Sequence, residues 1–499
     1  MKRWLHLLHR WLGIALGLLI LLWLLSGLVM LFVARPALQE SERLQGLAPL
    51  PAAMPPTAIT AAQAWAALGI ADAPEGLRLQ QQLGRPVWLL QEAGKTWHAV
   101  DALTGQPRAP LDEAQARALA IEQGGRLGGR RLAVAEVELL QRDQWSIYSR
   151  FNAQRPLYRV ALADGDEGLE LYIGQRSGEL VLDTRAWERG WNWLGTVTHW
   201  LYFTPLRANG PLWRDVVLWS SGAALALVLL GLVLGLQRLR LRGRYASGSV
   251  SPYRERWQRW HHLLGLGAGL VLLTWLFSGW LSMAPWGWPG GERAAAGEQQ
   301  RWRGGALQPD SLSLPDALPA VLPDGVGELA ALRFQGQHLW LVSAPGGSRL
   351  LDMQGQVLPQ GLDEARLRTA AAGLQPEARV IEARWLHGPD LHYYALRHQT
   401  RAFPVYRVAF DDAAGSVYYL DPRTARVALR VDQAGRWNRW LFNALHRWDF
   451  PPLAASVLGR DLVVTALSLL GAALSLSGCV LAWRRLQNSR GRRNKRKPS

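Results

Sequence analysis

Four histidines have the residue type and the placement to do chemistry. His9 opens "HRWLGIALGLLILLWLLSG" and His261 opens "HHLLGLGAGLVLLTWLFSG". His199, in "WLGTVTHWLYFTPL", and His446, in "WLFNALHRWDFPPL", each come shortly before a further apolar run. Imidazole titrates near neutral pH and is the commonest metal ligand. A low-spin b-type haem iron takes one imidazole on each face, so two histidines from matching segments would bracket one macrocycle. The pattern pairs His9 with His261 and His199 with His446, giving two haem b sites. His9 with His199 is excluded, because roughly 30 Å of hydrocarbon separates the two levels. Gly13 and Gly17 follow His9 at i+4 and i+8, and Gly265 and Gly269 follow His261 in the same way. On a helix they share the histidine's face and leave room for a flat group.

Each assignment has a plainer counterpart. A histidine at a helix end can be merely interfacial, and glycines four apart can be a close-packing device. What favours ligation is the set of four at two levels. Arg214 and Arg460 lie within reach of haem propionates, or else act as snorkelling anchors paired with Asp215 and Asp461. His6 and His262 are reserve ligands, although His6 matches Gln258 and His262 matches Arg10. His392 and His398 share a face if "HYYALRH" is a strand. That spacing matches no compact metal motif.

The elements that position these residues follow from hydropathy. Four stretches lack any acidic or basic side chain for about 20 residues, enough to cross a bilayer. They are Trp11–Ala34, Val216–Gln237, Leu263–Pro289 and Leu462–Trp483. The formal charge of +17 is not spread as a nucleic-acid binder's would be, so no nucleic-acid partner is expected. Its clusters, at Lys2, Arg3 and Arg10, from Arg238 to Arg259, and in the tail from Arg484, flank the same ends of the spans. By the positive-inside rule those ends are cytoplasmic. Both termini are then inside and the two long inserts outside. The first span is read as a retained anchor, since its apolar run exceeds a signal peptide's and no A-x-A site follows. The tail reads as solvated and disordered. Cys479 is the only cysteine, which excludes an intrachain disulfide, a Cys-ligated iron–sulfur cluster and a C-x-x-C-H haem attachment.

The chain is written twice. Ser26-Gly27 matches Ser278-Gly279, "LDEAQARALA" matches "LDEARLRTAA", "LYRVAL" matches "VYRVAF", and Arg214-Asp215 matches Arg460-Asp461. The expected fold is an α-helical integral membrane protein of four spans, built from two parallel repeats. Each repeat carries an external α+β insert, with Asp112 or Asp363 capping a short helix. The segments are a first span at 1–34, an insert at 35–190, and an interfacial segment with the second span at 191–237. A basic loop follows at 238–260, then the third span at 261–289 and an insert at 290–436. The chain ends with an interfacial segment and fourth span at 437–483 and the basic tail at 484–499. Pro- and Gly-rich linkers fall near 45–57 and 285–325.

The "HRWLG…SG" span, the "LDEA…YRV" insert and the "W…H" segment before a second span together resemble the PepSY-associated transmembrane family. The resemblance covers nearly the whole chain. It departs at Trp200 and Arg447, where many members have a small pair after the histidine. Members include bacterial inner-membrane ferric-siderophore reductases that carry b-type haem. The resemblance therefore implies PepSY-like inserts and a haem-dependent oxidoreductase of the inner membrane. Electrons would come from a cytoplasmic or membrane donor and go to a periplasmic ferric chelate. Two other readings stay open: a non-redox, membrane-tethered PepSY module that binds a periplasmic peptidase or peptide, and a transporter. The spans hold no acidic residue and no Pro-broken pair, which weighs against transport.

Overall fold

The computed structural model describes residues 2–94, 96–128, 133–163, 167–287, 294–315, 325–395 and 397–494. The chain forms two compact units. One comprises Met1–Arg35, Gly190–Gly291 and Ala434–Ser499, and the other Pro36–Arg189 and Glu292–Gln433.

Among the described residues, the first unit holds four helices long and apolar enough to cross a membrane. They are Lys2–Phe32, Gly210–Arg238, Arg256–Leu281 and Val457–Asn494, here called the first to fourth spans. The first and third each pack mainly against the second and fourth. Ile20, Leu24, Leu227, Leu272, Leu276 and Leu474 form the buried centre of this bundle. Leu18, Leu229, Leu236, Leu270 and Leu469 point outward. An apolar exterior around an apolar centre is what lipid contact requires.

Two span ends differ from expectation. The third span, expected to reach Pro289, stops at Leu281, where Ala284 and Trp286 adopt positive φ on either side of Pro285. Proline has no amide hydrogen to continue the helix ladder. Pro289 itself and parts of the expected 285–325 linker (288–293 and 316–324) lie outside the described residues. The tail, expected to be disordered, stays helical from Arg484 to Asn494. Its Arg, Leu and Gln residues are good helix formers, and Arg484 pairs with Glu255 at 2.7 Å. Residues 495–499 lie outside the described residues.

The second unit is β-rich. Fifteen strands are described: β1 (Gly76–Gln82), β2 (Arg85–Gln91), β3 (Trp97–Asp101), β4 (Ala133–Leu140), β5 (Leu157–Ala163), β6 (Glu170–Gly174), β7 (Leu180–Thr184), β8 (Glu328–Phe334), β9 (Gln337–Ala344), β10 (Gly347–Leu351), β11 (Val357–Leu358), β12 (Val380–Leu386), β13 (Val405–Phe410), β14 (Val417–Asp421) and β15 (Arg426–Val431). Strands β4 to β7 form one antiparallel sheet and β12 to β15 another. A helix covers each: Glu113–Gly128 buries Leu119 and Ala120 against the first, and Glu364–Ala372 buries Leu367 and Ala371 against the second. Both are capped by the expected residues. Asp112 accepts from the Gln115 amide and Asp363 from the Arg366 amide, each at 2.8 Å.

The remaining strands join the inserts into one seven-stranded sheet of order β11-β10-β9-β8-β1-β2-β3. The seam is β1 against β8, with Gln80 opposite Glu328. There Arg43 grips the Glu328 carboxylate with two bonds of 2.8 Å, and Gln80 adds a third at 2.5 Å. Burial pushes the Glu328 carboxyl up, but the charges of Arg43 and Arg78 outweigh it and hold it down at about 2.

The segment around His392 and His398 is not a strand. Asp390 Oδ1 accepts from the amides of His392 and Tyr393, which folds the chain into an Asx turn. The one-face arrangement expected of the two histidines is therefore absent.

Candidate functional site

Every one of the four histidines is anchored in the membrane unit. His9 and His261 lie near the start of the first and third spans. His199 and His446 arrive on short turns that the sequence builds in the same way. A π-helical stretch, Trp193–Val197 or Arg439–Ala444, leads into one turn of α-helix carrying the histidine. Leu201 and Trp448 then enter the left-handed region at φ 52° and 56°. Next come Pro-initiated turns, Thr204–Arg207 and Pro451–Ala454, before the second and fourth spans. π-Helical turns are rare and concentrate at functional sites. Here they deliver an imidazole sideways into the bundle.

The rings meet in pairs. The centres of His9 and His261 are 6.3 Å apart, and those of His199 and His446 are 6.2 Å apart. Two imidazoles that approach one metal ion from opposite sides, each with a nitrogen ~2 Å away, have centres about 6 Å apart. The levels are set by the spans. His199 reaches Trp23 and Ser26 of the first span, and His446 reaches Ser278 of the third. Ser26 and Ser278 each lie seventeen residues beyond the histidine that opens their span, a rise of about 25 Å. The buried leucines of the bundle centre fill the helical turns between the levels.

Hydrogen bonding selects one tautomer. His9 Nδ1 lies 3.2 Å from the Leu227 carbonyl, and His199 Nδ1 lies 3.1 Å from the Trp23 carbonyl. A carbonyl only accepts, so both Nδ1 atoms carry the proton. His261 Nδ1 lies 2.9 Å from Ser477 Oγ, and His446 Nδ1 lies 3.0 Å from Ser278 Oγ. Those hydroxyls donate their own protons at 2.6 Å to the carbonyls of Leu474 and Thr274. They therefore accept from the imidazoles. All four rings keep the Nε2 lone pair available, the state a metal-ligating histidine needs once its other nitrogen is fixed by a hydrogen bond.

Four glycines let the rings sit where they do, and only two of these stood out in the sequence. A Cβ on Gly231 would be 2.9 Å from His9 Cε1. On Gly27 it would be 3.2 Å from His199 Cε1, on Gly478 3.2 Å from His261 Cε1, and on Gly279 3.5 Å from His446 Cε1. The Ser-Gly pairs at 26–27 and 278–279 were legible as repeated motifs, and their role is to seat the opposing histidine. Ser477-Gly478 is another Ser-Gly pair, and Gly231 and Gly478 each open a G-x-V-L run, signals that could have found them. The glycines chosen from helical phase sit differently. A Cβ on Gly17 would touch Cys479 at 3.6 Å, and one on Gly269 would press on Leu232 at 3.2 Å, both contacts between spans. Gly13 and Gly265 face Leu227 and Leu474 at 3.9 and 3.7 Å.

The other candidates have protein partners. Arg460 is buried and bonds Asp449 at 3.1 Å and Asp461 at 3.3 Å. Arg214 donates to the Ala284 carbonyl at 3.2 Å and lies 3.8 Å from Asp215. His262 uses both nitrogens, at 2.9 Å each, on Ser251 Oγ and the Gly235 carbonyl, so it has none left for a metal. His6 lies one turn before His9 on the same helix.

Sequence comparison then decides the family. A model described as the PepSY-associated TM region matches residues 6–354. The chain belongs to this family. The match to the PepSY-associated transmembrane family takes in the first three spans and three of the four histidines, His9, His199 and His261. No curated protein matches the chain.

Within this PepSY-associated membrane protein the donor set tests what each pair fits. Among the described residues no group of three His, Cys, Asp or Glu side chains gathers as a metal site. Zinc sites draw three or four ligands from protein, and two imidazoles fall short of that. A metal whose other positions are filled by a macrocycle needs only the two axial nitrogens. The residues present fit a haem iron.

Proposed function

We propose that this protein is a two-haem b-type electron carrier of the bacterial inner membrane, with both termini cytoplasmic and both inserts periplasmic. His9 and His261 would hold one haem near the cytoplasmic end of the bundle, and His199 and His446 the other near the periplasmic end. The observation that carries this reading is the pairing itself: two imidazole pairs about 6 Å apart, each ring with Nδ1 committed and Nε2 available. Haem b bound in this way supplies one-electron redox chemistry.

The protein's part is to hold, orient and insulate. Ser278 and Ser477, with the carbonyls of Trp23 and Leu227, fix ring orientation. Glycines 27, 231 and 478 admit the rings without steric push. The leucine-rich centre excludes water between the two levels. In this reading the chain is written as two parallel repeats, and each pair takes one histidine from each repeat. The partners in this reading are a cytoplasmic or membrane electron donor on the side of His9 and His261 and a periplasmic ferric chelate as acceptor on the side of His199 and His446. Gly13, Gly17, Gly265 and Gly269 then line the spans that frame the inner site, and Arg214 and Arg460 lie toward the outer ends of theirs.

The test is an absorption spectrum of protein purified from cells supplied with haem precursor. A b-type reduced spectrum with about two haems per chain is expected. Colourless protein would overturn the proposal and favour a peptide-binding role for the β-rich unit.

A further inference from the structure

The β-rich unit contains a cavity of about 540 Å³, within the roughly 300–1,000 Å³ range of small-molecule sites. Residues of β1, β8 and β15 line it, and β15 is the edge strand of its sheet. The wall is one-signed. Arg78, Arg303, Arg333, Arg426 and Arg430 line it against a single carboxylate, Glu75.

Three of these arginines are committed. Arg78 bonds Glu179 at 2.7 Å and stacks over Trp97 at 4.6 Å. Arg430 bonds Glu298 at 3.1 Å and Asp432 at 2.7 Å. Arg333 donates to the Ala306 carbonyl. Arg303 and Arg426 differ, because among the described residues neither forms an ion pair with a carboxylate. Both side chains are solvent-exposed on the cavity wall, where a ligand can reach them. A guanidinium offers a planar fork of donors that matches an anionic oxygen pair. Two such forks on one cavity wall call for a ligand with at least two anionic oxygen groups.

We propose that this arginine-lined cavity binds a small, oxygen-rich polyanion, the chemistry that a negatively charged ferric chelate presents. Its role in delivering an electron acceptor rests on the electron-carrier reading, while the binding itself does not. Arg303 and Arg426 make the direct contacts. Arg78 and Arg430, neutralised by their own carboxylates, shape the wall, and the net positive charge that draws the ligand in comes from Arg303, Arg333 and Arg426.

Calorimetry on the full-length protein in nanodiscs tests this with gallium(III) citrate, a redox-inert mimic of the ferric complex. Metal-free citrate and inorganic phosphate are titrated alongside, to separate the chelate from its chelator and from a simple anion. One molecule of gallium citrate should bind per chain, and more weakly as salt rises. Arg303→Gln and Arg426→Gln should each weaken binding by about tenfold or more, the loss of a charge-assisted hydrogen bond. Lysine at either position should restore part of it, and Arg366→Gln, outside the cavity, should change nothing. An unaltered melting temperature in the glutamine variants excludes misfolding as the cause. Absence of binding by all three anions, or unchanged affinity in the double glutamine variant, overturns the proposal. Haem is counted separately on the same sample. Gallium citrate binding by haem-free protein would keep the cavity and remove the electron carrier, and haem without anion binding would do the reverse.

Discussion

Replacing Gly231 by alanine should damage one haem site and leave the other untouched. The new Cβ would lie 2.9 Å from His9 Cε1, where ordinary contact begins at 3.4 Å. The ring must therefore retreat by about half an ångström, or the second span must move away from the first. Overpacking of this kind costs about 1–3 kcal/mol. Helix propensity works the other way, since alanine gains roughly 1 kcal/mol over glycine in a helix, so a defect cannot be blamed on a weakened span. A ligand bond near 2 Å tolerates a shift of about half an ångström poorly. The inner site should then lose six-coordinate, low-spin character or occupancy. The other glycines make a graded series. Alanine at Gly27 or Gly478 is short by about 0.2 Å and should do less, while at Gly279, where the contact is 3.5 Å, it should do nothing. Haem content and reduced-minus-oxidised spectra of the four purified variants measure this. Full six-coordinate occupancy in Gly231→Ala, or Gly279→Ala proving the most harmful, would refute the reasoning.

Other outcomes follow from the same contacts. Ser278→Ala and Ser477→Ala should weaken haem retention at the outer and inner site respectively, by about 10–100-fold, the usual cost of losing a partner behind a ligand; transfer to an apo-haem acceptor measures it. His262→Ala should keep both haems yet lower stability by about 1–3 kcal/mol for each buried bond lost, read by thermal unfolding alongside the spectrum. Arg43→Ala should destabilise the β-rich unit by about 3–5 kcal/mol at neutral pH, because it strips Glu328 of its partner in a buried pair. The Glu328 carboxyl, held at about 2, lies below its unfolded value near 4.3. Its contribution is therefore present above about pH 4.5 and is lost as the pH falls toward 2. Asp183 has the opposite sign: burial and the charges of Glu42 and Glu188 push it up to about 6, so stability falls as pH rises from about 4 to 6. Denaturant unfolding of wild type, Glu328→Gln and Asp183→Asn across pH 2–7 separates the two.

The spans were legible because charge-free runs and flanking arginines are strong, local signals. Their ends were less so, since the stop after Leu281 depends on the Ala284–Trp286 turn, and the extension to Asn494 on ordinary helix propensity beyond the apolar run. The four histidines stood out through their matching context, and the structure brings His9 to His261 and His199 to His446. Their partners were less prominent, because the only signals at Gly231 and at Ser477-Gly478 are a four-residue G-x-V-L run and another Ser-Gly pair, both set inside apolar sequence. The phase argument for Gly17 and Gly269 had the right periodicity, but those positions meet Cys479 and Leu232 on neighbouring spans. The joining of the two inserts through β1 and β8 depends on Arg43 meeting Glu328, 285 residues away, which no local pattern reveals. The turn at Asp390 overrode the alternating pattern around His392 for a local reason, since an Asp side chain can bond the backbone two residues on.

The measurement that bears most directly on the central claim is haem content and coordination in paired histidine variants. His9→Ala and His261→Ala should each disturb the same haem, and the double variant should retain about one haem per chain, because the two losses share a single site and cannot add. His199→Ala with His446→Ala should likewise remove only the other. Combining His9→Ala with His199→Ala should disturb both. If that cross-level combination instead removed a single haem, or if all four single variants kept two intact six-coordinate haems, the pairing and the electron-carrier account built on it would be contradicted.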